Sequence, residues 1–286
     1  CPGLSKTGTY KSTWSTSPLT NADAYFQVYL GNPSVVSGVV INGDVNGSIV
    51  NNSTVSGGLY CQSGTGNNKA CSVSSSTPNA ITYPFSDADI TNWKNKAISG
   101  GVYNGNLAVD NIKATTTGPL KINGNLTVTD SGKMVVKGTI YVTGNLTVSG
   151  AATLSLDPSY GATSGVIVVD GTVNITSSAV VSGNGTTGSF LTVVTTNSCG
   201  GTSTTCTSPA VTLSGNATSI IVFAPNGEIE FSGSSRANSL IAYLINLSGA
   251  VTVNYDKSLS SVNYDGVTSS GASTSWVTDT WKEISN

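Results

Sequence analysis

Between residues 105 and 148 one phrase recurs almost unchanged: Gly105-Asn106-Leu107-Ala108-Val109, Gly124-Asn125-Leu126-Thr127-Val128 and Gly144-Asn145-Leu146-Thr147-Val148. A fixed repeat of about 20 residues marks stacked units, each of which buries its apolar face only against its neighbours. Between the second and third copies lie Met134/Val136 and Ile140/Val142. With the pairs at 126/128 and 146/148 they alternate inward and outward, as a half-buried strand does. Three such strands per turn, separated by Gly, Asn and Asp corners, predict an all-β chain. The expected architecture is a three-sided parallel β-solenoid, right-handed by the chirality of crossover connections.

Composition agrees with this and narrows the chemistry. Charged residues make up 9% of the 286-residue chain, so it is far less charged than an ordinary globular domain. A chain this poor in charge could be disordered, but 38% hydrophobic residues in regular alternation can form a continuous core. About six inward aliphatics per turn, at roughly 1.5–3 kcal/mol each, contribute on the order of 10 kcal/mol before conformational entropy is subtracted. The sequence has no histidine, which excludes Ser-His-Asp and Cys-His catalysis and histidine-held zinc or haem. Arg236 is the single arginine, the lysines are scattered and the net charge is −2, so no basic face for nucleic acid is expected.

The chain reads as an N-terminal cap segment over residues 1–34, a β-solenoid over 35–254 and a C-terminal cap over 255–286. Trp14, Tyr25, Phe26 and Tyr29 would anchor the first cap, and Trp276 and Trp281 the last. Coil-like text begins at Val39-Val40-Ile41, and a disulfide loop and one helix are inserted at residues 55–100. That helix is expected over residues 86–99. Ser86 suits its N-cap, Asp87 and Asp89 face the positive end of the dipole, and Gly100-Gly101 ends it. Ile90, Trp93 and Ala97 fall on one helical face that would pack on the strands. Further on, the repeat persists but lengthens through loops at 157–164, 183–188 and 199–206, and insertions gathered at corners often build a functional surface. An apolar residue followed by Ser-Gly recurs at Leu213, Phe231 and Leu247.

Four of the five cysteines fall in two close pairs, Cys61/Cys71 and Cys199/Cys206, each in a Gly/Ser/Thr/Asn-rich loop. Loop-closing disulfides in an oxidising, extracellular setting are expected. Neither spacing is that of a zinc knuckle, and no metal site or cofactor is expected. Cys1 stands apart from both pairs. No apolar run is long enough to span a membrane. A secreted form would have lost its targeting segment.

Several phrases carry a resemblance over roughly residues 80–286: Tyr83-Pro84, Ile90 with Trp93-Lys94, Gly138-Thr139-Ile140-Tyr141-Val142-Thr143-Gly144-Asn145-Leu146, and Leu156-Asp157-Pro158-Ser159-Tyr160-Gly161. Gly165-Val166-Ile167-Val168-Val169-Asp170-Gly171, Phe223-Ala224-Pro225-Asn226-Gly227, Val253-Asn254-Tyr255-Asp256 and Trp281-Lys282-Glu283 follow in order. This text resembles the C-terminal β-solenoid region of PilX-like, type IV pilus-associated surface proteins of bacteria. The resemblance implies an upstream anchoring helix, display on a pilus or cell surface, and no catalytic motif.

For the residues themselves, a polysaccharide hydrolase would need two converging carboxylates. Glu228 and Glu230 share one strand face but alternate with Ile229 and Phe231, which places them on a solvated outer face. Asp157 and Asp256 read as turn formers, and Asp87/Asp89 as helix-capping groups. Sugar rings stack on exposed aromatics flanked by amides and hydroxyls, so Tyr160, Tyr141, Tyr103 and Tyr243 are the candidate ligand-binding residues, with Tyr255 and Tyr264 behind them. The expected function is a non-enzymatic extracellular adhesion or structural module, presenting faces and corner loops to a polymeric, carbohydrate-like surface. Its expected partners are pilus or cell-surface components, without nucleic acid and without a membrane inside this segment. Alternatives are a self-assembling filament subunit, a polysaccharide-degrading β-helix enzyme and a DNA-binding minor pilin.

Overall fold

The structure is a computed structural model that describes residues 26–29, 35–37, 40–41, 43–52, 54–55, 58–72, 84–111, 114–200, 206, 208–217, 220–233, 235–247, 252–253, 258 and 262–264. Most of both expected caps, including Trp14, Tyr25, Trp276 and Trp281, and also Tyr255, lies outside the described residues. The chain divides into two compact units. One comprises residues 1–82, 246–252 and 279–286, and the other residues 83–245 and 253–278.

The first unit holds β1 (Phe26–Tyr29), β2 (Val35–Ser37), β3 (Val40–Ile41), β4 (Gly43–Asn51), β5 (Thr54–Val55) and β6 (Leu59–Ser63). Every pairing among them is parallel: β1, β2 and β6 on β4, and β3 on β5. The Cys61–Cys71 disulfide forms here. Its loop folds back on β5, where the Asn68 amide imitates a strand by accepting from Val55 N and donating to Val55 O.

In the second unit, helix α1 (Asp87–Ser99) precedes three parallel ladders. Ladder A contains β7 (Val102–Asn104), β10 (Leu120–Asn123), β13 (Ile140–Val142), β16 (Gly165–Val169), β19 (Leu191–Thr195) and the start of β22 (Ile220–Phe231). Ladder B contains β8 (Leu107–Val109), β11 (Leu126–Val128), β14 (Leu146–Val148), β17 (Val173–Ile175), β20 (Val211–Leu213) and the end of β22. Ladder C contains β9 (Ala114–Thr117), β12 (Lys133–Val136), β15 (Thr153–Leu156), β18 (Val180–Ser182) and β21 (Asn216–Ala217). Successive strands visit A, B and C in turn, and long β22 joins the first two ladders into one sheet. Three further strands come later in the chain: β23 (Arg236–Ala237), the nine-residue β24 (Ser239–Leu247), which pairs with β22 and whose last two residues fall in the first unit, and β25 (Thr252–Val253), at the boundary between the units.

The repeat explains the register. Leu107, Leu126 and Leu146 are cross-strand partners, as are Val109, Val128 and Val148. The alternation holds: Leu126, Val128, Met134, Val136, Ile140, Val142, Leu146 and Val148 are all fully buried. The asparagines do the corresponding work at the corner. Asn125 N donates to Asn106 Oδ1 and Asn145 N to Asn125 Oδ1, each at 2.8 Å, and Thr172 N donates to Asn145 Oδ1 at 2.9 Å. The preceding glycine is required by space: a Cβ on Gly144 would stand 2.2 Å from Asn125 Oδ1 and 2.8 Å from Gly124 O. The first two of the late Ser-Gly phrases fit the same scheme, since Leu213 pairs with Phe231 across ladder B.

α1 forms where expected. Ser86 Oγ accepts from Asp89 N, and the Asp89 carboxylate accepts from Ser86 N in return. Gly100 ends the helix, and Gly101 turns away at φ +126°. Ile90, Trp93 and Ala97 are buried. The helix lies against β10, β13 and β16, on the face of ladder A opposite the buried Ile140 and Val142. The rows Val166–Thr192–Ile221 and Val168–Val194–Phe223 therefore form a second core with Phe85, Ile90, Trp93, Phe190, Val262 and Tyr264. Phe85 makes edge-on contacts with Trp93, Phe223 and Tyr264 at 5.2–5.3 Å.

Candidate functional site

Three of the four candidate tyrosines, Tyr103, Tyr141 and Tyr243, are strand residues, and the fourth, Tyr160, lies on a loop. Tyr103, on β7, is 42% exposed. Tyr243, on β24, is half-buried. Tyr141 is half-buried on β13 at the margin of α1, and its hydroxyl donates to Asp170 Oδ2 at 2.5 Å. Lys94 Nζ from the helix reaches Asp170 Oδ1 at 2.5 Å, and Thr196 Oγ1 donates to the same oxygen at 2.9 Å. The ammonium groups of Lys94 and Lys121 sit over the Tyr141 ring, 4.9 and 5.5 Å from its centroid. Burial pushes the Asp170 carboxyl up, but the hydrogen bonds from Lys94, Tyr141 and Thr196 and the Lys94 charge outweigh it and hold the group below the usual carboxylate range. Burial, the hydrogen bond to Asp170 and the Asp170 charge together push the Tyr141 phenol up to about 12. Both Asp170 oxygens are committed, so this cluster clamps α1 to the neighbouring strands β13 and β16. Sequence reasoning picked out Tyr141 without its partners, because Lys94 and Asp170 are 76 residues apart.

Tyr160 belongs to a different arrangement. β15 and β18 both end at the corner where ladder C returns to ladder A, and each is followed by an inserted loop. In the first loop Asp157 is the turn former expected: its carboxylate accepts from Ser159 N at 2.9 Å, ahead of one 3-10 turn over Pro158–Tyr160. The hydrogen bonds from Ser159 hold the Asp157 carboxyl below its ordinary range. The second loop reaches the first through Asn184, whose Nδ2 donates to Gly161 O at 2.8 Å while its Oδ1 accepts from Thr186 N at 2.9 Å. Buried Ser164 ties in a third segment: Phe190 N donates to its Oγ, and its own N–H donates to Asn263 O at 2.8 Å. Two inserted loops and residues 262–264 therefore meet at one corner. Sequence spacing located the insertions but could not show that they touch.

Two readings are corrected. Glu228 is not on a solvated face: it is 7% exposed, with its carboxylate against Gly200 and its N–H donating to Cys199 O, while Glu230 is half-exposed. Cys199, which is joined to Cys206 as a disulfide, and Gly200 lie against the surface expected to face solvent. Tyr264 is a core residue, 8% exposed, whose hydroxyl lies 3.1 Å from Thr192 Oγ1, and burial pushes its phenol up. Among the described residues no group of three or more His, Cys, Asp or Glu is placed to hold a metal ion, and no helix is long and apolar enough to cross a membrane. The chain matches no family model, and neither a curated protein nor a solved structure resembles it at a significant level.

Proposed function

We propose that this chain is a non-enzymatic, extracellular adhesion or structural module of a bacterial surface or type IV pilus, and that its ladders wind as a right-handed, three-sided β-solenoid. The observation that carries the reading is the corner at which the loops 157–164 and 183–188 are tied together beside regular, in-register ladders. Two inserted loops stitched together at one corner of a stiff scaffold are built to present a surface. Short polar side chains line the outward row of ladder B, where Thr127, Thr147, Asn174 and Thr212 stand in register. Two loop-closing disulfides support an oxidising compartment. Co-sedimentation of the purified chain with cellulose, chitin, peptidoglycan and whole cells tests the adhesive reading, and failure to bind any of them removes it.

A second reading, a self-associating filament subunit, draws on the leading strands. Among the described residues β7, β8 and β9 each pair on one side only, and none carries a charged residue or a proline to guard that edge. Sedimentation at high concentration and electron microscopy test it. Strictly monomeric behaviour counts against it.

A further inference from the structure

Gly165, the first residue of β16, lacks the side chain that would keep an aromatic ring away. A Cβ there would stand 3.1 Å from Tyr160 Cζ, 3.2 Å from its Oη and 2.4 Å from Leu156 Cδ2. The Tyr160 ring is thus seated on the start of a ladder strand, half-buried, while its backbone is held in the 3-10 turn. A ring already fixed by packing loses little rotamer freedom when something stacks on it. Beside it Asn184 is fixed by two hydrogen bonds, which leave one amide hydrogen and one lone pair for a further partner.

The charge of this corner points to a ligand class. Among the described residues at 157–164, 183–190, 258 and 262–264 the single charged side chain is that of Asp157, ionised and solvent-facing. The remaining polar groups are hydroxyls and amides, which both donate and accept. The one cation that acts on the Asp157 carboxylate is Lys137, which follows β12, so the pair leaves the corner without the excess positive charge an acidic polymer would need. A neutral sugar has an apolar C–H face for a ring and hydroxyls for amphoteric partners.

We propose that this corner is a subsite for a neutral, hydroxyl-rich glycan, with Tyr160 seated on Gly165 as the stacking platform and Asn184 as a polar contact. The proposal rests on the surface-module reading and gives that surface its ligand class. The test measures binding of the full chain to dextran, a soluble β-glucan and a mannan, and to alginate and pectate, at low and high salt. Tyr160→Ala, Tyr160→Phe and Asn184→Ala are compared with the unaltered chain, and their thermal unfolding is followed in parallel. Binding to a neutral polymer that is insensitive to salt, falls about tenfold in Tyr160→Ala and survives in Tyr160→Phe is the expected result. Neutral-polymer binding unchanged by Tyr160→Ala, in a variant that unfolds like the parent, overturns the site. Binding confined to alginate or pectate and abolished by salt overturns the ligand class and leaves the surface-module reading standing. Absence of binding to every soluble and insoluble polymer overturns both.

Discussion

The Tyr141 hydroxyl donates to Asp170 Oδ2 at 2.5 Å, which ties β13 to the residue that follows β16, its neighbour in ladder A. Lys94 completes the bond from the helix side, so a single carboxylate holds α1, β13 and β16 together. Tyr141→Phe keeps the ring under both ammonium groups and removes one donor, and it is expected to cost about 1–2 kcal/mol in urea unfolding. Asp170→Ala is expected to cost more, because it leaves Lys94, Tyr141 and Thr196 without their shared acceptor.

The same carboxylate sets a pH dependence. Its folded pKa lies below the unfolded value, so the stability it contributes is present above the ordinary carboxylate pKa of about 3.9 and is lost as pH falls through the folded pKa. The stability gap between the unaltered chain and Asp170→Asn should therefore be constant from neutral pH down to about pH 5 and close in stronger acid. A gap that persists unchanged at the lowest pH tested would assign the effect to packing. Tyr141, raised to about 12, should stay protonated when ordinary tyrosines ionise, which phenolate absorbance can follow.

The asparagine ladder makes a graded prediction. Asn125→Ala deletes the acceptor for Asn145 N and should cost about 1 kcal/mol, measured by chemical denaturation. Gly144→Ala should cost more than that, because its methyl would drive into Asn125 Oδ1 and the Gly124 carbonyl together.

Trp93 is 1% exposed, and its Nε1 has no hydrogen-bond partner among the described residues. Trp93→Ala should cost about 3–5 kcal/mol through the cavity it leaves between α1 and ladder A. Trp93→Phe keeps much of the apolar contact and deletes a buried donor that nothing among the described residues satisfies, so its cost should fall well below that of the alanine variant. Equal losses in thermal unfolding would show that the indole N–H does find a partner.

Each disulfide closes a short loop, with sequence separations of 10 and 7 residues. Chain-entropy arguments give about 2–3 kcal/mol for loops of this size. Cys199→Ser/Cys206→Ser should also loosen the bonds that Cys199 O receives from Ala210 N and Glu228 N. Hydrogen exchange at residues 210 and 228 should rise in that variant, while exchange at Val128 and Val148, deep in ladder B, stays slow.

The parallel strands and their register were legible because the inward pairs recur at one spacing, and a side chain one period away along the chain is also a neighbour in space. The helix was legible for a local reason: Ser86, Asp89 and Gly100 cap it through bonds that span three or four residues. A signal for the second core was present but went unread. Residues 165–169 and 191–195 are continuously buried rather than alternating, which marks strands covered on both faces. The Glu228 reading failed on the same point: strict alternation assumed an uncovered outer face, and Cys199 and Gly200 lie against it.

By itself the sequence determined the strand content, the in-register repeat, the helix caps and the two cysteine pairs, because each depends on residues close along the chain or one period apart. Only the tertiary structure decided that Lys94 meets Asp170, that Asn184 meets Gly161 and that Tyr264 lies in the core. Those contacts join residues 76, 23 and, for Tyr264 with Thr192, 72 positions apart. They follow from where inserted loops and the helix come to rest on the ladders, and no periodic pattern encodes that, since each insertion occurs once.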